Sequence, residues 1–403
     1  MAAPILKQIP GGVCSPRGFL AAGVRSGLKR RGKDLALIYS VAPAVAAGLF
    51  TSNQVQGAPV LLTRQRVGQD SARAILINSG NANACTGRQG YADAQTSAAW
   101  LAQALRISPD SVLVASTGLI GQPLPMPRLR EAIPHLVSAL GPEGHQEAAQ
   151  AILTTDTRPK EIAVEFHHNG LPVRIGAMAK GAGMIAPDLA TMLCFLTTDA
   201  ALPSRLLTAC LRRAAASSFN CITVEGDTSP SDMLLALANG QSETKAIASG
   251  HGLAAFQAAL DFVCLQMAKA IIADAEGATK FLEIRVTGAP SPAEARQVAL
   301  TIANSPLVKT ALFGRDPNWG RILAAAGRAP VKLDPHLLAL SLAGVPVVAR
   351  GAAVNFDQAA LRRTLAKPEI GLTLDLGLGP ASATVWTCDL TYDYVRINAE
   401  YHT

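Results

Sequence analysis

The chain has 403 residues, of which 49% are hydrophobic and only 16% charged, with 34 Gly and 25 Pro. That length holds two or three domains of ordinary size, and the composition excludes a disordered or fibrous chain. The net charge of +7 is dispersed and suits small anionic substrates; its densest run, Lys29-Arg30-Arg31, reads as a solvated turn and lacks the broad basic stripe with interleaved aromatics that nucleic acid requires.

Met1 to Gly12 has no basic segment followed by an apolar core, so no secretory signal and a cytoplasmic location are expected. A strand is expected at Leu35–Tyr39. The nearly uncharged stretch around it, Leu35 to Phe50, is broken by Ser40 and Pro43 and is too short to span a bilayer. Further strands are expected at Val60–Thr63, Ala74–Ile77, Val112–Ala115, Ile162–Phe166, Val173–Met178, Met192–Leu196, Leu282–Val286 and Gln297–Ile302. Helical periodicity marks Tyr91–Ala104, Pro127–Leu140, Glu147–Leu153, Ser204–Ser218, Leu253–Ala275 and Trp319–Ala326. The two kinds alternate from end to end, which argues for a layered α/β architecture. Seven cysteines, at 14, 85, 194, 210, 221, 264 and 388, form no CxxC pair, which disfavours zinc and a disulfide framework.

The most informative segment is Lys180-Gly-Ala-Gly-Met-Ile-Ala-Pro-Asp-Leu-Ala-Thr191, followed at once by an apolar strand-like run. Were the Ala190–Thr191 bond broken, Thr191 would carry a hydroxyl nucleophile and a free α-amine. Such an amine titrates near about 8, so it can act as base for its own hydroxyl without histidine, metal or cofactor. An acyl transfer also needs donors aimed at the oxyanion, and Thr117-Gly118, on an expected tight loop after Val112–Ala115, offers them. Lys180 beside the glycines and Glu276 after a helix present opposite charges that suit a zwitterionic amino acid.

Lys180 to Thr191 resembles the self-cleavage segment of the ornithine acetyltransferase family, also called bifunctional glutamate N-acetyltransferase. Four more segments are similar to that family in the same order: Asn78 to Gly87, Ala115 to Gly121, Phe219 to Ser229, and Asp316-Pro-Asn-Trp-Gly-Arg321. The ending Asn398-Ala-Glu-Tyr-His-Thr403 resembles the family's C-terminus, so the likeness covers essentially the whole chain. It implies α/β architecture with β-sheets sandwiched between helical layers. It also implies autocatalytic cleavage between Ala190 and Thr191 into an α chain, 1–190, and a β chain, 191–403. Thr191 is then the nucleophile and Thr117 with Gly118 the oxyanion hole, while Thr154, Lys180, Thr191, Glu276, Asn398 and Thr403 match substrate-binding positions. The implied reaction is ping-pong transfer of acetyl from N-acetylornithine to glutamate. A bifunctional member also takes acetyl-CoA as co-substrate; no other cofactor, metal, membrane or nucleic acid is implied. The α and β chains are expected to associate, at least as a dimer of heterodimers. Position 188 is Asp where the family often has Asn, and 221 is Cys where a basic residue is frequent. From the residues alone, an N-terminal-Thr aminopeptidase or amidohydrolase, and an uncleaved amino-acid-binding protein, stay open.

Overall fold

The computed structural model describes residues 6–68, 71–186 and 192–400. Asp188, Ala190, Thr191 and Thr403 lie outside the described residues. The described residues divide into two compact units, the first comprising residues 6–220 with Asp227–Ile271 and the second Cys221–Gly226 with residues 272–400. This partition by packing is distinct from the expected covalent division at 190/191.

The first unit is built on a nine-stranded sheet of β1 (Lys7–Ile9), β2 (Phe19–Val24), β3 (Leu35–Phe50), β4 (Ala72–Asn81), β5 (Val112–Leu119), β6 (Lys160–His168), β7 (Leu171–Lys180), β8 (Leu193–Thr198) and β9 (Met233–Ala238). Its order is β1-β6-β7-β8-β9-β3-β4-β5, with β2 also paired to β3. The β8–β9 and β4–β5 pairs are parallel. The long strand β3 joins two halves: its start pairs with β2 and β4, and its end with β9. The register shifts between Tyr39 and Ala44, where Pro43 cannot donate to a ladder.

Alternation along the strands explains the layers. Leu35, Leu37, Leu76 and Val114 point to one face and pack with Ala58, Ala98, Leu101, Leu129 and Ile133 of the helices Ala58–Arg66, Gly87–Leu105 and Met126–Ser138. Their neighbours Ala36, Ile38, Ile75, Ile77 and Leu113 pack in a second cluster with Ala148, Ala149 and Ala151 of the helix His145–Ala151. Helices on both faces of a sheet are the architecture expected from the sequence.

The second unit has a six-stranded sheet ordered β13-β12-β11-β14-β10-β15, formed by β10 (Phe281–Ala289), β11 (Ala339–Leu342), β12 (Val345–Ala349), β13 (Ala352–Ala353), β14 (Glu369–Asp375) and β15 (Ala381–Cys388). The helix Pro292–Ala303 packs on β10 and β15 with Ala295, Val298, Ala299 and Ile302 buried.

Several expectations need correction. Val60–Thr63 is not a strand but the middle of the helix Ala58–Arg66, started by Pro59 in its first turn. Its Thr63 hydroxyl donates to the Val114 carbonyl at 2.6 Å and accepts from the Val114 N–H at 2.9 Å. Arg66 donates to the Val112 carbonyl at 2.7 Å. The helix thus covers part of the β5 edge that a strand would have paired. Gln297–Ile302 is likewise helical, opened by Ser291, which accepts from the Glu294 N–H. Thr117 and Gly118 lie within β5 rather than on a loop beyond it. Asp316-Pro-Asn318 would be expected from its residue types to cap the following helix, but Asn318 sits at the helix start without capping it, its amide donating instead to Asp316 at 3.3 Å. Lys29 is half-buried, not solvated, and donates to the Leu153 carbonyl at 2.9 Å. Among the described residues one helix, Gly250–Ile272, is long and apolar enough to cross a membrane, with mean hydropathy 1.4; 61% of its apolar window is buried inside the protein, as in a core helix.

Candidate active site

In the first unit the end of β7 meets the end of β5. Lys180, the last residue of β7, is only 6% exposed, and its Nζ lies 3.4 Å from the Thr117 Oγ1. The contact joins residues 63 positions apart. The next residue, Gly118, has φ +130°, and a Cβ there would stand 2.3 Å from the Gly80 carbonyl carbon and 2.5 Å from the Asn81 nitrogen. Only glycine tolerates both the conformation and that approach.

The motif from Asn78 to Gly87 accounts for how this strand end is held. The Ser116 hydroxyl donates to Asn78 Oδ1 at 2.6 Å, and Asn78 donates on to the Asn81 carbonyl at 2.8 Å. Asn81 donates to the carbonyls of Gln122 and Pro123 beyond the strand. Ser79 donates to the Ala151 carbonyl at 2.6 Å, tying the same strand to the segment that carries Thr154. Every side chain in this brace is buried or nearly so, which fixes the backbone around Thr117 and Gly118.

Sequence reasoning missed Asp156, which organises the charged side of the site. Its Oδ1 accepts from Lys160 Nζ and from the Gly181 N–H, each at 2.7 Å. Its Oδ2 accepts from the Thr154 N–H at 3.2 Å and stands 4.0 Å from Lys180 Nζ. Burial alone would raise this carboxyl, but Lys180, Lys160 and the Gly181 N–H outweigh it and hold the group down at about 2. Asp156 therefore remains a carboxylate and fixes both the ammonium of Lys180 and the main chain of Thr154. Lys29 belongs to the same cluster. Burial lowers its ammonium; Asp34 and Asp156 oppose that shift, and Lys180 adds to it. Gathered lysines beside a strand end favour a bound carboxylate.

Asp232, the residue before β9, also lies close to Lys180 and to Met192. It is 2% exposed.

In the second unit Glu276 and Asn398 meet. Asn398, on the helix Tyr392–Glu400, donates to Glu276 Oε2 at 2.8 Å and to the Tyr394 carbonyl at 3.1 Å. Thr391 donates to the Gly277 carbonyl at 2.7 Å and accepts from the Tyr394 N–H, so the same hydroxyl holds the turn and opens the helix. Gly277 has φ +64°, with Tyr394 nitrogen 2.5 Å from where a Cβ would stand. Asn398 is thereby held against Glu276 within this unit. Thus Thr117, Gly118, Thr154 and Lys180 come together in the first unit, and Glu276 and Asn398 pair in the second.

Residues 20–403 match the ArgJ family. The chain belongs to the ArgJ family. It is 52% identical over 407 residues to the arginine biosynthesis bifunctional protein ArgJ of Synechocystis sp., covering 98% of each chain. The protein of the same name from Symbiobacterium thermophilum is 49% identical, over 99% of this chain and 100% of its own. Among solved structures, the ornithine acetyltransferase of Mycobacterium tuberculosis complexed with ornithine is 46% identical, covers 45% of this chain and 98% of its own, and has a TM-score of 0.43. The family membership bears out the resemblance carried by the motifs.

Proposed function

We propose that this chain is an acetyltransferase of arginine biosynthesis, which moves an acetyl group from N-acetylornithine to glutamate through a covalent ester on Thr191. The observation that carries the reading is the buried Lys180 ammonium, 3.4 Å from the Thr117 hydroxyl and anchored by Asp156. A polarised hydroxyl next to a fixed positive charge, on backbone that only glycine permits, suits stabilisation of a developing oxyanion. Family membership favours acyl transfer over the hydrolytic and the non-enzymatic readings.

The proposed sequence begins with the Thr191 hydroxyl attacking the Ala190 carbonyl. The resulting ester is hydrolysed by water, giving chains 1–190 and 191–403 that stay associated, two such pairs forming the assembly. The liberated amine then serves as base for the hydroxyl beside it. N-acetylornithine acetylates Thr191 and ornithine leaves; glutamate attacks the ester and departs as N-acetylglutamate. Thr117 and Gly118 hold the oxyanion, Lys180 and Thr154 bind the substrate carboxylate side, and Glu276, Asn398 and Thr403 complete recognition of the amino acid. Acetyl-CoA is proposed as a second acetyl donor, as in a bifunctional enzyme, with no bound cofactor and a cytoplasmic location.

Labelled N-acetylornithine supplied with glutamate should give labelled N-acetylglutamate, and labelled acetyl-CoA should do the same. Absence of transfer in the first assay would refute the reading; release of labelled acetate independent of glutamate would indicate a hydrolase.

A further inference from the structure

Two consecutive side chains at the entrance to β9 leave buried polar atoms without a hydrogen-bond partner among the described residues: Ser231 Oγ and Asp232 Oδ2. A buried polar atom without a partner is destabilising, so two in succession in an otherwise well-bonded loop call for a role. The loop itself is firmly held. Thr51 donates through its N–H to the Asp232 carbonyl at 3.1 Å and through its hydroxyl to the Ser229 carbonyl at 2.7 Å. Asn53 donates to both the carbonyl and the hydroxyl of Thr228 at 3.0 Å.

The position of this pair is specific. β9 runs parallel to β8 with Met233 opposite Leu193, and the Met233 N–H donates to the Met192 carbonyl at 3.1 Å. The Asp232 carboxyl in turn accepts from the Met192 N–H and from Ser229. Met192 directly follows the proposed nucleophile in the chain, so the Asp232 carboxyl is hydrogen-bonded to the residue next in sequence to Thr191. It is also the residue type that can exchange protons in both directions, having one oxygen to donate and one to accept.

We infer that Asp232 is the proton relay of the self-cleavage step: its carboxyl O–H gives a proton to the Thr191 nitrogen as the bond to Ala190 breaks, and its other oxygen takes the proton leaving the Thr191 hydroxyl. The balance closes without a co-reactant. One C–O bond forms, one C–N bond breaks, a proton passes from oxygen to nitrogen, and Asp232 ends as it began. This inference rests on the proposed function, because it assigns a group to the cleavage that creates the nucleophile. The required protonation state fits the surroundings. Burial pushes the Asp232 carboxyl well above the usual carboxylate range, against the opposing effects of Lys180, Ser229 and Met192. Asp156, also beside Lys180, is held ionised, so the two acids are set to different tasks.

The test follows cleavage of the full chain after pulsed synthesis, reading intact mass against time for wild type, Asp232→Asn, Asp232→Glu and Thr191→Ala. Asparagine keeps the size and the acceptor for Met192 but cannot relay a proton. It should slow cleavage by about 100-fold or more, the span of general acid–base catalysis, with the melting temperature of its uncut form close to that of Thr191→Ala. Glutamate retains the acid one methylene away and should recover part of that loss. Cleavage of the folded Asp232→Asn variant at the wild-type rate would overturn the relay, as would failure of both variants to fold, which would make Asp232 a residue of the fold alone. A wild-type chain that stays in one piece would instead refute the proposed function, so the two failures are distinct.

Discussion

Replacing Asp156 by asparagine should destabilise the first unit by about 2–3 kcal/mol at neutral pH. The carboxylate, with its side chain fully buried, is shared by Lys160 and Lys180, whose side chains are 1% and 8% exposed. Its depression from 3.8 to about 2 corresponds to about 2 kcal/mol in favour of the ionised form. Removing one partner of a buried pair typically costs about 3–5 kcal/mol, and asparagine, which can still accept from the Gly181 N–H, belongs at the lower end. The sign fixes the pH window. Because the folded value lies below the unfolded one, the stabilisation is complete above about pH 5 and is lost as pH falls toward 2. Trp100 reports the first unit if Trp319 and Trp386 are both changed to Phe. Urea unfolding in that background should show the full gap between the chain that keeps Asp156 and its Asp156→Asn variant from neutrality down to about pH 5, then a closing gap. No gap at neutral pH, or a gap unchanged at about pH 3, would refute the electrostatic reasoning.

Thr117→Val should reduce kcat by about 100- to 1,000-fold with little change in KM, as expected for a donor used mainly in the transition state; equal losses in an Asp156-intact and an Asp156→Asn background would show the two act separately. Gly118→Ala should cost at least about 1–3 kcal/mol through backbone strain and should lose transfer activity, which melting curves and the acetyl assay check together. Asn398→Ala removes a partner of Glu276 and should raise KM for the amino acid while leaving kcat within about twofold. Alkylation of the native protein should mark exposed Cys85 first. Cys14, pushed up to about 12 by burial with help from Glu161, and the fully buried Cys194 should resist, as peptide mapping would reveal.

Where local pattern and tertiary environment agree, the sequence was a good guide. β4, β6, β7 and β8 were legible as apolar runs, and the long helices as 3.6-residue periods. Val60–Thr63 misled because a four-residue apolar run fits either class, although Pro59 marked a helix start. Gln297–Ile302 misled in the same way, even though Ser291-Pro-Ala-Glu294 carries a capping signature that the structure realises. At the site, Thr117, Gly118 and Lys180 were found through motif resemblance, since no periodicity relates residues 63 apart. Asp156 was within view in Leu153-Thr-Thr-Asp-Thr157, but an acid's value as an anchor depends on burial and on lysines brought from other strands. Lys29 was hidden by its basic neighbours, which face water while its own ammonium turns inward to the Leu153 carbonyl.

Intact mass spectrometry of freshly purified protein bears most directly on the central claim that Thr191 becomes an N-terminal nucleophile. Two polypeptides, residues 1–190 and 191–403, are expected, with a single uncut chain for Thr191→Ala. A wild-type protein that remains one 403-residue chain while transferring acetyl between ornithine and glutamate would contradict it.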